Sequence, residues 1–348
     1  MHRIREYFYG LMVDRRGGPV ASLLKCALWI CSLAYGVIVR FLSGGYDKKF
    51  FIAYRPDPKV ISIGNITVGG TGKTQTAIDI ARVLEAQGKK VSVLIRGYGT
   101  DEYMMLQEEL KDCPVLVGPD RIENSKKAFY NFGVDTVILD DGFQHWKIAK
   151  DLNIVLVDAT NPFGNYHLIP RGILREPISA LRRADLIMIT KVDSNPSKRG
   201  EVYGVATALG KNDCVLESIY KPMGFSELSS GKKKELEFVR QKRVCLVSSI
   251  GNPYYFKEKI KQLGAVIELE FVFLDHYQYM KEDLYKIDGE CRFLDIEVII
   301  ATKKDAVKIK RFCLANQMAT PILVLDINLE ITKNKQILDE RLSGIYNS

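Results

Sequence analysis

Lys59-Val60-Ile61-Ser62-Ile63-Gly64-Asn65-Ile66, continued by Thr67-Val68-Gly69-Gly70-Thr71-Gly72-Lys73-Thr74, is the stretch on which the fold turns. The first part is apolar and β-branched and reads as a strand; Gly72 to Gln87 reads as a helix. A glycine-rich loop between strand and helix is the setting that gives a P-loop its meaning. Its glycines let backbone N–H groups close around phosphate oxygens, and the helix N-terminus adds positive potential. In that arrangement residues 67–74 bind nucleotide, Lys73 meets the β- and γ-phosphates, and the Thr74 hydroxyl ligates Mg²⁺. Thr67 stands where the GxxxxGK[ST] pattern has glycine, and Gly69 and Gly70 supply the flexibility instead.

Outward from this loop the chain alternates short β-rich runs with helical patterns, as a parallel α/β sheet with helices on both faces requires. Strands are expected at Lys90 to Ile95, Asp135 to Leu139, Asn153 to Val157 and Asp185 to Ile189. Around Phe225 to Phe238 the pattern lapses into Ser, Gly and Lys232-Lys233-Lys234, which reads as a linker. A second alternating unit follows, with strands at Val244 to Val247, Ala265 to Phe273, Glu297 to Ile300 and Pro321 to Leu325. The expected division is residues 1–50 as an apolar helical segment, 51–230 as the P-loop domain, and 231–348 as a smaller α/β domain that closes over the substrate.

The 348 residues are 47% apolar and 26% charged, which rules out a disordered or collagen-like chain. Fifty basic against 42 acidic residues leave +8, an excess suited to phosphate or anionic lipid and too mild for a dedicated nucleic-acid binder. No obligate protein partner is signalled. The seven cysteines are scattered without a CxxC pair, so neither a zinc site nor a disulfide framework is indicated.

Val20 to Leu42 is the most apolar stretch, with only Lys25 and Arg40 charged. Ser22, Lys25, Trp29, Ser32, Gly36 and Arg40 draw one narrow polar stripe along it. A helix lying in a bilayer surface, a membrane span and a buried helix all suit this pattern, and the broad apolar remainder favours the first.

Several polar groups accompany the phosphate loop. Asp140-Asp141 ends a strand and runs into Gly142-Phe143-Gln144-His145; such a pair can hold Mg²⁺, although a solvated acidic turn has the same composition. Asp101-Glu102 lies in a loop beyond Arg96-Gly97-Tyr98-Gly99, and His276 follows Asp275 after a strand, where proton transfer or a plain surface role are both open. Thr190-Lys191-Val192-Asp193 and Thr302-Lys303-Lys304-Asp305 resemble the guanine-reading element of P-loop GTPases. However, Leu139 stands where the DxxG element needs Asp, and the duplication also argues against that reading.

In series, Gly64 to Thr74, Arg96-Gly97-Tyr98-Gly99, Asp140 to His145, Leu174-Arg175-Glu176-Pro177, Asp275-His276 and Thr302 to Lys308 resemble the tetraacyldisaccharide 4′-kinases of lipid A synthesis. The resemblance spans Gly64 to Lys308 in the family's order. It implies ATP- and Mg²⁺-dependent phosphorylation of the 4′-hydroxyl of an acylated glucosamine disaccharide, at the cytoplasmic face of the bacterial inner membrane. It implies Lys73 on the phosphates, Thr74, Asp140, Asp141 and Glu176 about the metal, and Asp101 as the catalytic carboxylate with His276 as partner. Glu102, Gln144, His145 and Arg175 stand beside these as supporting candidates. The family's Gly-Asp-Glu-Pro segment reads Thr100-Asp101-Glu102-Tyr103 here, its Pro-Ala-Gly reads Pro170-Arg171-Gly172, and Gln75 replaces a frequent Pro. With Asp101 and His276 on different domains, domain closure would assemble the pair and exclude water. A P-loop GTPase or ATPase switch, and a membrane-associated nucleotide-binding module without chemistry, are the alternatives.

Overall fold

A computed structural model of the chain describes residues 2–97, 100–315 and 318–347, so Tyr98 and Gly99 of the Arg96–Gly99 motif lie outside the described residues. In chain order the elements are α1 (His2–Met12), α2 (Pro19–Asp47), β1 (Lys59–Asn65), α3 (Lys73–Ala86), β2 (Val91–Ile95), α4 (Thr100–Glu109), β3 (Val115–Val117), α5 (Arg121–Phe132), β4 (Thr136–Asp140), β5 (Leu152–Asp158), β6 (Leu186–Thr190), α6 (Pro196–Ala208) and β7 (Val215–Glu227). There follow β8 (Lys233–Lys234), β9 (Arg243–Ser248), α7 (Pro253–Gln262), β10 (Val266–Val272), α8 (Lys281–Phe293), β11 (Val298–Ala301), α9 (Lys303–Ala315), β12 (Ile322–Lys333) and α10 (Lys335–Gly344). They form two units, one of residues 1–96, 116–219 and 331–348, the other of 97–115 and 220–330.

The first unit has strand order β7-β6-β5-β1-β4-β2-β3, with β6, β5, β1, β4 and β2 paired in parallel. Every residue of β2, β4, β5 and β6 is buried, as strands covered by helices on both faces must be. The chain passes from β4 to β5 across β1, which leaves a crevice beyond the carboxyl ends of these strands, and the glycine loop after β1 occupies it. The C-terminal segment belongs here: Asn334 Nδ2 donates to the Val215 carbonyl at 2.8 Å, and Tyr346 hydrogen-bonds Thr136.

α2 reverses the usual logic of a surface helix. Ser32, Gly36, Val39 and Ser43, spaced by three or four residues, are buried, while Val20, Leu23, Ile30, Val37, Ile38 and Phe41 face outward. Ser32 and Gly36 of the polar stripe thus turn toward the protein, while Ser22, Trp29 and Arg40 of the same stripe stay exposed beside the apolar outer residues. The helix is long and apolar enough to cross a membrane.

The second unit has strand order β10-β9-β11-β12, all parallel. Phe225 to Phe238, expected as a linker, is a hairpin instead. Phe225 is fully buried and pairs antiparallel with Lys234, because the Ser/Gly-rich stretch only makes the turn of a structured arm. Residues 97–115 also belong to this unit. α4 packs on α9, and Lys303 and Lys310 of α9 reach Glu109 and Glu108 at 2.6 and 3.2 Å. Asp101 and His276 therefore share one unit, contrary to the expectation of opposite domains.

Candidate phosphate site and carboxylate–histidine pair

The loop after β1 takes its shape from two glycines with left-handed φ, Gly69 at +127° and Gly72 at +92°, the latter capping α3. Segment 173–175 fixes the loop's entry: Val68 N–H donates to the Ile173 carbonyl and Arg175 N–H to the Ile66 carbonyl, both at 2.7 Å. Buried Thr67 lies in this bridge, paired with Leu174. Asn65 Nδ2 donates to Thr71 Oγ1 at 3.0 Å, and Thr190 Oγ1 to the Thr71 carbonyl at 3.2 Å. Lys191 Nζ donates to the Gly70 carbonyl at 2.8 Å and pairs with Asp158. Thr190 and Lys191 thus brace the loop from below. The first-turn N–H groups of α3 are left to face a ligand, as at other anion-binding helix starts.

β4 delivers the acidic pair. Asp140, buried at the strand end, accepts from Thr74 Oγ1 at 2.8 Å. Asp141 turns left-handed, at φ +56°, and its two oxygens accept from Arg175 Nη1 at 2.8 Å each, with Lys73 Nζ at 3.5 Å. Burial pushes the Asp141 carboxyl up, but Lys73, Arg175 and Arg121 override it and bring it down to about 2, so it stays ionised. Arg121 donates to the Asp141 carbonyl at 3.0 Å and also to that of Asp140.

This turn needs close backbone approach. A Cβ on Gly64 would stand 2.6 Å from the Phe143 nitrogen, and one on Gly142 2.7 Å from Leu139 Cβ. Gln144 Nε2 donates to the Asn65 carbonyl at 2.9 Å and to Glu176 at 3.0 Å; Arg183 donates to the other Glu176 oxygen at 2.6 Å. Burial and the charges of Arg121, Lys150 and Lys147 push the His145 imidazole down to about 4, so it is neutral at physiological pH. The structure therefore brings Thr74 together with Asp140 and Lys73 with Asp141. It places Glu176, fully buried, in a separate cage of Gln144 and Arg183. Among the described residues no three His, Cys, Asp or Glu side chains gather as a metal cluster.

In the second unit Asp101 sits in the first turn of α4 with no exposed surface. Its Oδ1 meets His276 Nδ1 at 3.2 Å, while Lys304 and Lys308 Nζ each lie 3.7 Å from Oδ2. His276 has φ +62°, and Lys304 also reaches Asp275 at 3.0 Å and Glu102 at 3.7 Å. Burial raises the Asp101 carboxyl, yet the His276 hydrogen bond and the charges of Lys304, His276 and Lys308 hold it well below the usual carboxylate range. The same hydrogen bond raises the His276 imidazole. An ionised carboxylate braced by an imidazole can accept a proton from an alcohol. Asp305 of the second TKxD element is spent inside the fold. It accepts from the Ser249 N–H at 3.1 Å, Thr302 Oγ1 at 2.6 Å and the Tyr279 hydroxyl at 3.0 Å, and so cannot read a base.

Arg121, Lys191, Lys304 and Lys308 are site residues to which the sequence reading gave no role. Lys304 and Lys308 carried a signal, since positions four apart share a helix face; Arg121 carried none.

Against known proteins, the family profile described as "LpxK: Tetraacyldisaccharide-1-P 4'-kinase" matches residues 24–346. The tetraacyldisaccharide 4′-kinase of Syntrophus aciditrophicus is 34% identical, with 91% of each chain covered. That of Anaeromyxobacter dehalogenans strain 2CP-C is 31% identical over 94% of this chain and 92% of its own. In fold the chain is similar to the crystal structure of LpxK from Aquifex aeolicus in complex with ATP, with TM-score 0.70 and 24% identity over 93% of this chain and 99% of the other.

Proposed function

The chain belongs to the tetraacyldisaccharide-1-phosphate 4′-kinase family, and we propose that its P-loop holds ATP while the Asp101–His276 pair takes the proton from the sugar hydroxyl. The product is the 4′-phosphate of a tetraacylated glucosamine disaccharide 1-phosphate, an intermediate of lipid A. Gly69, Gly70 and residues 72–74 supply backbone N–H groups for the phosphates, the Val68 and Thr71 N–H groups hold the loop's own shape, and Lys73 supplies the cation. Arg175 keeps Asp141 ionised beside Lys73 and limits how tightly that lysine is neutralised.

Thr74 and Asp140 suit a magnesium ion. A hydroxyl and a carboxylate, both hard oxygen donors, already meet at 2.8 Å where β4 faces the first turn of α3. Asp141 completes the acidic pair, and Glu176 supports it from its buried cage through Gln144 and Arg175 in turn. Magnesium, when bound, neutralises charge on the β- and γ-phosphate oxygens. Asp101 accepts the hydroxyl proton, and His276 orients the carboxylate through Oδ1 and shares the added charge.

The outer face of α2 seats the enzyme at the cytoplasmic surface of the inner membrane. ATP is present on that side, and a substrate with four acyl chains does not leave the bilayer readily. The observation that carries the reading is the buried Asp101 carboxylate bonded to His276, a pair for which a nucleotide switch has no use. The test is to incubate the enzyme with MgATP and tetraacyldisaccharide 1-phosphate in detergent and analyse the lipid by mass spectrometry. One added phosphate, on the 4′-oxygen, is expected; an unmodified lipid with ATP consumed would favour the switch.

A further inference from the structure

Arg175 is held by three tethers, and one comes from the apolar helix. Its N–H donates to Ile66 at 2.7 Å, at the entry of the phosphate loop, and its guanidinium grips both oxygens of Asp141 at 2.8 Å. Its carbonyl accepts from the Tyr35 hydroxyl of α2 at 2.8 Å, across 140 residues of sequence. That carbonyl belongs to the peptide unit leading into Glu176, whose carboxylate is itself fixed by Gln144 and Arg183. The Tyr35 hydroxyl thus bonds directly to the 175–176 peptide, between an anchored Arg175 guanidinium and an anchored Glu176 carboxylate.

The helix is built to make this contact. Gly36, next to Tyr35, is buried, and a Cβ there would come 2.8 Å from Leu168 Cδ1, so a small residue lets α2 approach segment 168–176 closely. Asp47 at the helix end lies 3.9 Å from Arg183, the partner of Glu176. The opposite side of α2 is the apolar face of Ile30, Val37 and Phe41. One helix therefore carries an outward apolar face and an inward phenol bonded to the backbone of the phosphate site.

We infer that Tyr35 is a positioning residue: acting through the Arg175 carbonyl, it helps seat the Arg175 guanidinium on Asp141 and so ties the seating of α2 to phosphoryl transfer. The inference rests on the kinase reading of the Lys73–Asp141 site. It does not require that α2 binds lipid, because the contact lies on the helix's inner side.

Tyr35→Phe removes one oxygen and keeps the ring. Loss of a single hydrogen bond to a half-buried carbonyl should lower kcat by about fivefold. The KM for ATP should stay within about twofold of the parent, and liposome sedimentation should not change, because neither the loop backbone nor the outer face is touched. Titration calorimetry with ATP supplies the control: binding should remain at one nucleotide per chain, showing that the lost rate is not lost folded protein. An unchanged kcat would overturn the inference, as would a fall in kcat matched by an equal fall in binding stoichiometry. Absence of lipid phosphorylation by the parent enzyme would instead refute the kinase reading.

Discussion

Replacing His276 with alanine removes the hydrogen bond to Asp101 Oδ1 and leaves the buried carboxylate, among the described residues, to the charges of Lys304 and Lys308, each at 3.7 Å. A hydrogen bond to a charged group contributes about 1.5–3 kcal/mol, and about 1.4 kcal/mol is a factor of ten in rate. The imidazole is 39% exposed, so water recovers part of this, and kcat should fall roughly 10- to 100-fold. ATP affinity, measured by calorimetry, should change little, since the P-loop belongs to the other unit. The pH profile should move as well. His276 supplies both a hydrogen bond and a charge that hold Asp101 down, while burial pushes it up. Without His276 the carboxyl rises, and the acid limb of kcat/KM shifts to higher pH.

The fold should report the same pair. Asp101 lies below its ordinary 3.8, so its contribution to stability is present above that pH and is lost as pH falls through its lowered value. His276 lies above its ordinary 6.5, so its contribution is present below 6.5 and is lost as pH rises through its raised value. Denaturant unfolding of the parent should therefore weaken on both sides of this window, and His276→Ala should lose the alkaline side of the dependence. In a double-mutant cycle, His276→Ala should add little to Asp101→Asn, because the two act as a unit. An unchanged kcat in His276→Ala, or losses that simply multiply, would refute the pairing.

Lys73→Ala and Thr74→Ala should each abolish most phosphate transfer, the first through the phosphate cation and the second through the partner of Asp140; normal turnover in folded protein would contradict the loop assignment. The triple change Ile30→Asp, Val37→Asp and Phe41→Asp acts on side chains 59–69% exposed, so it should abolish liposome sedimentation without lowering Tm; retained binding would exclude α2 as the anchor. Gly64→Ala places a Cβ 2.6 Å from backbone, so unfolding in urea should show a loss of about 1–3 kcal/mol or more, and an unchanged midpoint would show that the turn yields.

The elements that local pattern specifies were legible in the sequence. β1, the glycine loop and α3 follow from a strand, a run of glycines and a helix start within 28 residues, although Gly72 rather than Gly70 joins Gly69 in the left-handed region; β2, β4, β5 and β6 lie where apolar runs placed them. What could not be read was long-range. Nothing in Thr100–Glu109 reveals that it packs on α9 rather than beside the strands flanking it in sequence, and so the meeting of Asp101 and His276 within one unit was hidden. Phe225 looked like linker because composition shows the turn of a hairpin but not the buried side chain that fixes it. The polar stripe of α2 was visible, whereas the inward turn of its Ser32 and Gly36, beside Tyr35, depends on Leu168 and Arg175. Lys191 resembled part of a base-reading motif, and only its bond to the Gly70 carbonyl shows it bracing the phosphate loop.

The central claim is that this chain moves a phosphoryl group from ATP to a lipid alcohol rather than to water. The most direct measurement follows γ-labelled ATP, limiting against tetraacyldisaccharide 1-phosphate in detergent micelles, and counts label in the lipid and in free phosphate together. One lipid-bound label is expected for each ATP consumed, and almost no ATP consumed when lipid is withheld. Equal consumption with and without lipid, with the label released as free phosphate, would contradict it.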